Sequence, residues 1–102
     1  MHPLIEKHRP DIEEICRRYR IHRLEVFGSA ARGEDFDPER SDADFLVEFG
    51  PGAGVGLAEF FGVKSELEAL LSRGVDLVEL SAVRNPYLLA NINRNRELVY
   101  AT

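Results

Sequence analysis

Three short apolar runs, each bounded by residues that interrupt regular structure, set the tightest limit on how this chain can fold. Leu24-Glu25-Val26-Phe27 stops at Gly28. Phe45-Leu46-Val47-Glu48-Phe49 stops at Gly50-Pro51-Gly52-Ala53-Gly54, and Val75-Asp76-Leu77-Val78-Glu79-Leu80 begins just after Gly74. Such runs between glycine and proline signals read as strands, the second reaching back to Ala43 or Asp44. Around them the period is helical. Ile5, Ile12, Ile15, Cys16 and Tyr19 recur at helical spacings between Pro3 and Arg20, and Pro10 should break that segment near Arg9 and start the longer helix. Leu57, Phe60, Phe61, Lys64, Leu67, Leu70 and Leu71 predict a helix to Ser72, with Gly74 as its stop. Pro86 to Arg94 gives a last helix and Leu98-Val99-Tyr100 a short terminal strand. Ala30 to Gly33 reads as a helical turn, and the acidic stretch from Glu34 to Ser41, with Pro38 inside it, as an exposed loop. The order predicts a small α/β or α+β domain in which helices cover a sheet. At 102 residues the expectation is a single domain, residues 1–102, with one core.

A net charge of −5 and the lack of a basic stripe interleaved with aromatics argue against direct nucleic-acid binding. The dense basic run Arg17, Arg18, Arg20, His22 and Arg23 reads as the solvated side and end of a helix. Cys16, the single cysteine, excludes an internal disulfide and fits a reducing cytoplasm. Its place among Ile12, Ile15 and Tyr19 makes it a buried small hydrophobe rather than a nucleophile. No apolar run is long enough to span a membrane. His2, His8 and His22 sit in basic, helical surroundings and read as surface residues.

Three places carry chemistry. Gly28-Ser29 lies between a strand and a helical turn, where glycine admits a ligand close to the backbone and free N–H groups face an anion. Arg32 adds charge nearby; a plain turn or helix cap fits the same residues. Asp42-Ala43-Asp44, if extended, places two carboxylates on one face, a costly arrangement unless a cation lies between them. Magnesium prefers such oxygen ligands together with substrate phosphates, though a surface Asx turn also fits. Asp76 is a charge inside an apolar strand, sharing a face with Val78 and Leu80. It is either an edge acid facing water or a third carboxylate for the same site, able to hold metal or accept a proton. Together these pieces make one coherent phosphoryl-transfer site. The chain has no Walker-type loop, no Cys/His metal cluster and no Ser-His-Asp set to compete with it.

Gly28-Ser29-Ala30-Ala31-Arg32-Gly33, Ser41-Asp42-Ala43-Asp44-Phe45-Leu46-Val47 and Val75-Asp76-Leu77-Val78 resemble the minimal nucleotidyltransferases of the DNA polymerase β-like superfamily. The resemblance covers most of the chain, including the first helix and the Asn85-Pro86-Tyr87 segment. It implies a small mixed β-sheet flanked by helices, a polymerase β palm-like fold. It further implies that Gly28, Ser29 and, less directly, Arg32 bind the triphosphate of ATP. Asp42 and Asp44 would hold Mg2+, with two ions in all, and Asp76 would be the third catalytic and metal-binding acid. Ala30 to Ser41 is twelve residues, two more than the family's usual spacing, which a surface loop absorbs cheaply.

Short members of this family resemble antitoxins paired with a HEPN ribonuclease toxin, on which they place AMP from ATP at a tyrosine. With no residues to spare for an acceptor-binding domain, the expected acceptor is another protein, in a hetero-oligomer with that toxin. Two other readings remain open. One is an antitoxin that neutralises by complex formation alone, with Phe36, Phe60, Phe61 or Tyr87 as anchors, although core packing is favoured for Phe60 and Phe61. The other is nucleotidyl transfer to a small molecule.

Overall fold

The computed structural model describes residues 2–28, 42–51, 54 and 56–102. The expected Ala30 turn and the acidic loop lie outside them. Helix α1 covers Pro3–Lys7 and α2 Arg9–Arg18, so the break falls at His8. Pro10, expected to start the longer helix, is the second residue of α2, where its missing N–H has no intrahelical partner to lose. Strands β1 (Ile21–Phe27) and β2 (Ala43–Phe49) follow, then α3 (Leu57–Leu71), β3 (Val75–Glu79), a 3-10 turn (Leu80–Ala82), α4 (Pro86–Arg94) and β4 (Glu97–Ala101).

β1 starts three residues before the expected Leu24. Arg20 turns the chain at φ +57, Ile21 is buried opposite Phe49, and the register slips between Ile21 and Arg23. The basic run is therefore split: Arg17 and Arg18 end α2, whereas His22 and Arg23 are exposed on a strand.

The sheet order is β3-β2-β1-β4, with β1 antiparallel to both β2 and β4, and β2 parallel to β3. It is mixed and flanked by helices, as expected. One face packs against the helices through Ile5, Ile12, Ile15, Cys16, Leu24, Phe45, Val47, Val63, Leu67 and Leu77. Burial raises the Cys16 thiol to about 12, so it stays protonated and unreactive at neutral pH. Among the described residues the other face is thinly covered: Phe27, Leu46 and Ile92 form its small core, with Val78, Leu80 and Val83 beside them.

On α3, Val63, Leu67 and Leu71 face inward and Phe60 is half-buried against the core. Phe61, expected inside, is 54% exposed, and Leu57 is 76% exposed. The apolar positions of this helix span more of its circumference than one buried stripe can use.

Among the described residues one charged side chain is buried. Glu25 is 4% exposed and accepts from Arg23 Nε at 3.0 Å and Arg96 Nε at 2.8 Å, while Arg96 Nη1 also donates to Asn93 Oδ1. This network ties the link between α4 and β4 to the middle of β1. Arg96→Met leaves the buried carboxylate with Arg23 alone and is expected to cost about 1–2 kcal/mol. Urea unfolding at pH 7 measures it; an unchanged midpoint would show that Arg23 and solvent suffice.

Candidate active site

The strand register assembles the acids. Asp44 lies opposite Phe27 on β1 and opposite Asp76 on β3. Partners across a ladder share a face, so Asp44 and Asp76 stand side by side on the thinly covered face that carries Phe27, Leu46 and Val78. Both are at the N-terminal ends of parallel strands. Asp42, exposed, lies two residues before Asp44 and just ahead of β2. Gly28 leaves β1 at the same end of the sheet, because β1 runs antiparallel to β2.

Two glycines press on the pair. Gly28 has φ +65, and a Cβ on it would come 2.7 Å from Asp44 Oδ2. A Cβ on Gly74 would come 2.5 Å from Asp42 Oδ1. Gly28, Asp42, Asp44 and Asp76 are thus gathered at one end of the sheet. Ser29 and Arg32 lie outside the described residues.

Among the described residues, negative charge is gathered at the site without a cation to offset it at Asp44. Asp44 is raised from 3.8 to about 6, first by burial, then by a hydrogen bond shared with Asp76, then by the negative charges of Asp76 and Asp42. Among the described residues no three His, Cys, Asp or Glu side chains could hold a metal ion as they stand. A hard cation that keeps waters and draws further oxygens from substrate phosphates does not require a closed protein cage. An all-carboxylate donor set with a destabilised ionised member fits such an ion.

The raised Asp44 value has a sign that can be checked. A proton bound more tightly in the folded chain favours folding: the contribution is complete below about pH 4 and is lost as pH rises through about 6. Asp44→Asn removes the ionised group and is expected to stabilise the protein at pH 8 by on the order of 1 kcal/mol, discounted for half-exposure and screening. That gain should vanish by pH 4. Paired urea titrations at the two pH values decide it, and a variant less stable than its parent at pH 8 contradicts the account.

The sequence reading missed Gly74 as part of this site, taking it for a helix stop. Its only signal was a glycine immediately before the strand that carries Asp76. A shallow depression of about 450 Å³ lined by Gly56, Leu57, Phe60, Glu79 and Ala82 lies toward the other end of β3, away from the acids.

Residues 11–99 match the family described as nucleotidyltransferase domain. The chain is 36% identical over 88 residues to the protein adenylyltransferase MntA of Thermococcus cleftensis, covering 86% of this chain and 82% of that protein. A solved structure assigned as a minimal nucleotidyltransferase superposes with a TM-score of 0.73 at 34% identity, over 91% of this chain and 90% of the other. The fold also matches a toxin–antitoxin complex with AMP-PNP (TM-score 0.71, 20% identity, 92% of this chain and 73% of that one). A further match is the complex of a tri-AMPylated Shewanella oneidensis HEPN toxin with its MNT antitoxin (TM-score 0.68, 17% identity, 96% and 73%).

Proposed function

The chain belongs to the nucleotidyltransferase domain family, and from that footing we propose that it is an antitoxin working as a Mg-dependent protein adenylyltransferase. It transfers AMP from ATP to a tyrosine of a HEPN ribonuclease toxin in the cytoplasm. The observation that carries the proposal is the pairing of Asp44 with Asp76 across parallel strands, with Asp42 and Gly28 at the same sheet end. Support for the substrate and partner comes from the relatives, one named a protein adenylyltransferase and one seen with an AMPylated toxin. An AMP-PNP complex of the same fold supports ATP as donor.

In this reading Gly28 and Ser29 receive the triphosphate, with Arg32 contributing positive charge. Asp42, Asp44 and Asp76 hold two magnesium ions, which when bound offset phosphate charge and favour ionisation of the acceptor hydroxyl. The tyrosine oxygen attacks the α-phosphorus in line. The bond from that phosphorus to the bridging oxygen breaks, and pyrophosphate leaves with the electron pair. Asp76, exposed beside Asp44, accepts the hydroxyl proton. Among the described residues the acids lie on the less covered sheet face, which suits a protein-borne hydroxyl as acceptor. Among the described residues no helix is long and apolar enough to cross a membrane.

A binding-only antitoxin is favoured by one observation: Tyr87 on α4 is 85% exposed and Leu88 and Leu89 beside it are also exposed. Growth rescue separates the two readings. Co-expressed with the toxin, the parent chain should restore growth and the triple variant Asp42→Asn/Asp44→Asn/Asp76→Asn should not, although it still co-purifies with the toxin. Full rescue by the triple variant would establish neutralisation by binding.

A further inference from the structure

Gly74 has a duty that helix termination does not account for. α3 already ends at Leu71, and its left-handed capping position is filled by Ser72 at φ +55. Gly74 is not among the glycines with positive φ, so its own backbone conformation is open to other residues. What singles it out is its neighbour. Its carbonyl accepts from Ala43 N at 3.0 Å, which holds the start of β2 against it. A Cβ there would lie 2.5 Å from Asp42 Oδ1 and 3.0 Å from Asp42 Cγ, inside van der Waals contact.

We infer that Gly74 is a positioning residue: its missing side chain leaves the space that the Asp42 carboxylate occupies and so fixes how that carboxylate is turned toward the site. This deepens the adenylyltransferase reading and rests on it for the catalytic consequence. Gly28 seats Asp44 in the same manner, so each member of the Asp42/Asp44 pair lies against a glycine from a different segment. Gly28 combines that closeness with a positive φ, whereas at Gly74 the steric effect stands alone.

The atoms a methyl group would displace are the far end of a short, exposed side chain, not backbone. Gly74→Ala should therefore leave the urea midpoint within ~0.3 M of the parent. The turned-away carboxylate should weaken metal binding ~10-fold. It should also lower kcat by ~10–100-fold while KM for ATP stays within ~3-fold, the pattern of a misplaced group rather than lost binding.

The test uses manganese(II) alone as probe, titrated into the parent, Gly74→Ala, Asp42→Ala and the double variant, with the free ion followed by electron paramagnetic resonance. The expected result is weaker binding by Gly74→Ala and no further loss when it is added to Asp42→Ala. Parent-like binding by Gly74→Ala, or an additional loss in the double variant, overturns the inference. If Gly74→Ala fails to fold, recovery of folding in the double variant supports the contact, and continued failure overturns it. Should the ion titrations follow the expected pattern while the parent transfers no AMP to the toxin, the adenylyltransferase reading fails and the assignment of Gly74 stands.

Discussion

Replacing Asp42 and Asp44 together by asparagine is expected to lower AMP transfer to the toxin by at least ~10³-fold, the scale set by removing charged groups that act in the transition state. Asparagine keeps the size of each side chain and removes both negative charges. Asp44 is held well above the usual carboxylate range, raised to about 6 by burial and by its acidic neighbours. Ionised at pH 8 such a group costs stability, and a bound cation would relieve it. The double variant should accordingly be at least as stable as the parent at pH 8 while losing catalysis, a separation that a merely unfolded protein cannot produce. Initial rates of label incorporation at saturating magnesium and ATP measure the loss. A double variant within ~10-fold of the parent would remove these acids from the reaction.

Gly28→Ala is expected to reduce the same rate by ~10²-fold, since displacement of a reacting group by about 1 Å costs that much. Two effects combine. At φ +65 an alanine is strained by roughly 1 kcal/mol or more. Its methyl would also sit 2.7 Å from Asp44 Oδ2, so the carboxylate must leave its present position. Unfolding titrations and steady-state kinetics on one preparation separate the parts: a modest fall in stability with a large fall in kcat. A variant that loses stability but keeps kcat would show that Gly28 serves only the turn.

The candidate site was legible because its chemistry rests on residue types that are expensive elsewhere. A charge inside Val75–Glu79 and two acids spaced i, i+2 ask for an explanation before any fold is known. Alternation also placed Asp76 with Val78 and Leu80, and those two residues do pack on the acid-bearing face. What a single sequence does not carry is the pairing of segments distant along the chain. The parallel alignment of Asp44 with Asp76, and the approach of Gly74 to Asp42, are set by β2 and β3 lying side by side.

Glu25 shows the same limit from another side. Nothing in the strand pattern marks this acid as buried, and Arg23 beside it together with Arg96, returning from the far end of the chain, makes its burial tolerable. At Ile21 the misreading was local: exposed His22 and Arg23 hid the start of β1 behind what resembled a helix end. Phe61 failed for a different reason. Helical spacing identifies apolar positions, but the width of the sheet beneath α3 decides how many are covered.

In the proposed reaction this chain places AMP on a protein hydroxyl. Intact-mass and peptide mass spectrometry of the partner toxin, after incubation with the purified chain, ATP and magnesium, test it most directly. Whole-AMP mass increments are expected on a toxin tyrosine, absent without magnesium and absent with the Asp42→Asn/Asp44→Asn variant. An unmodified toxin that the chain nonetheless silences would contradict it.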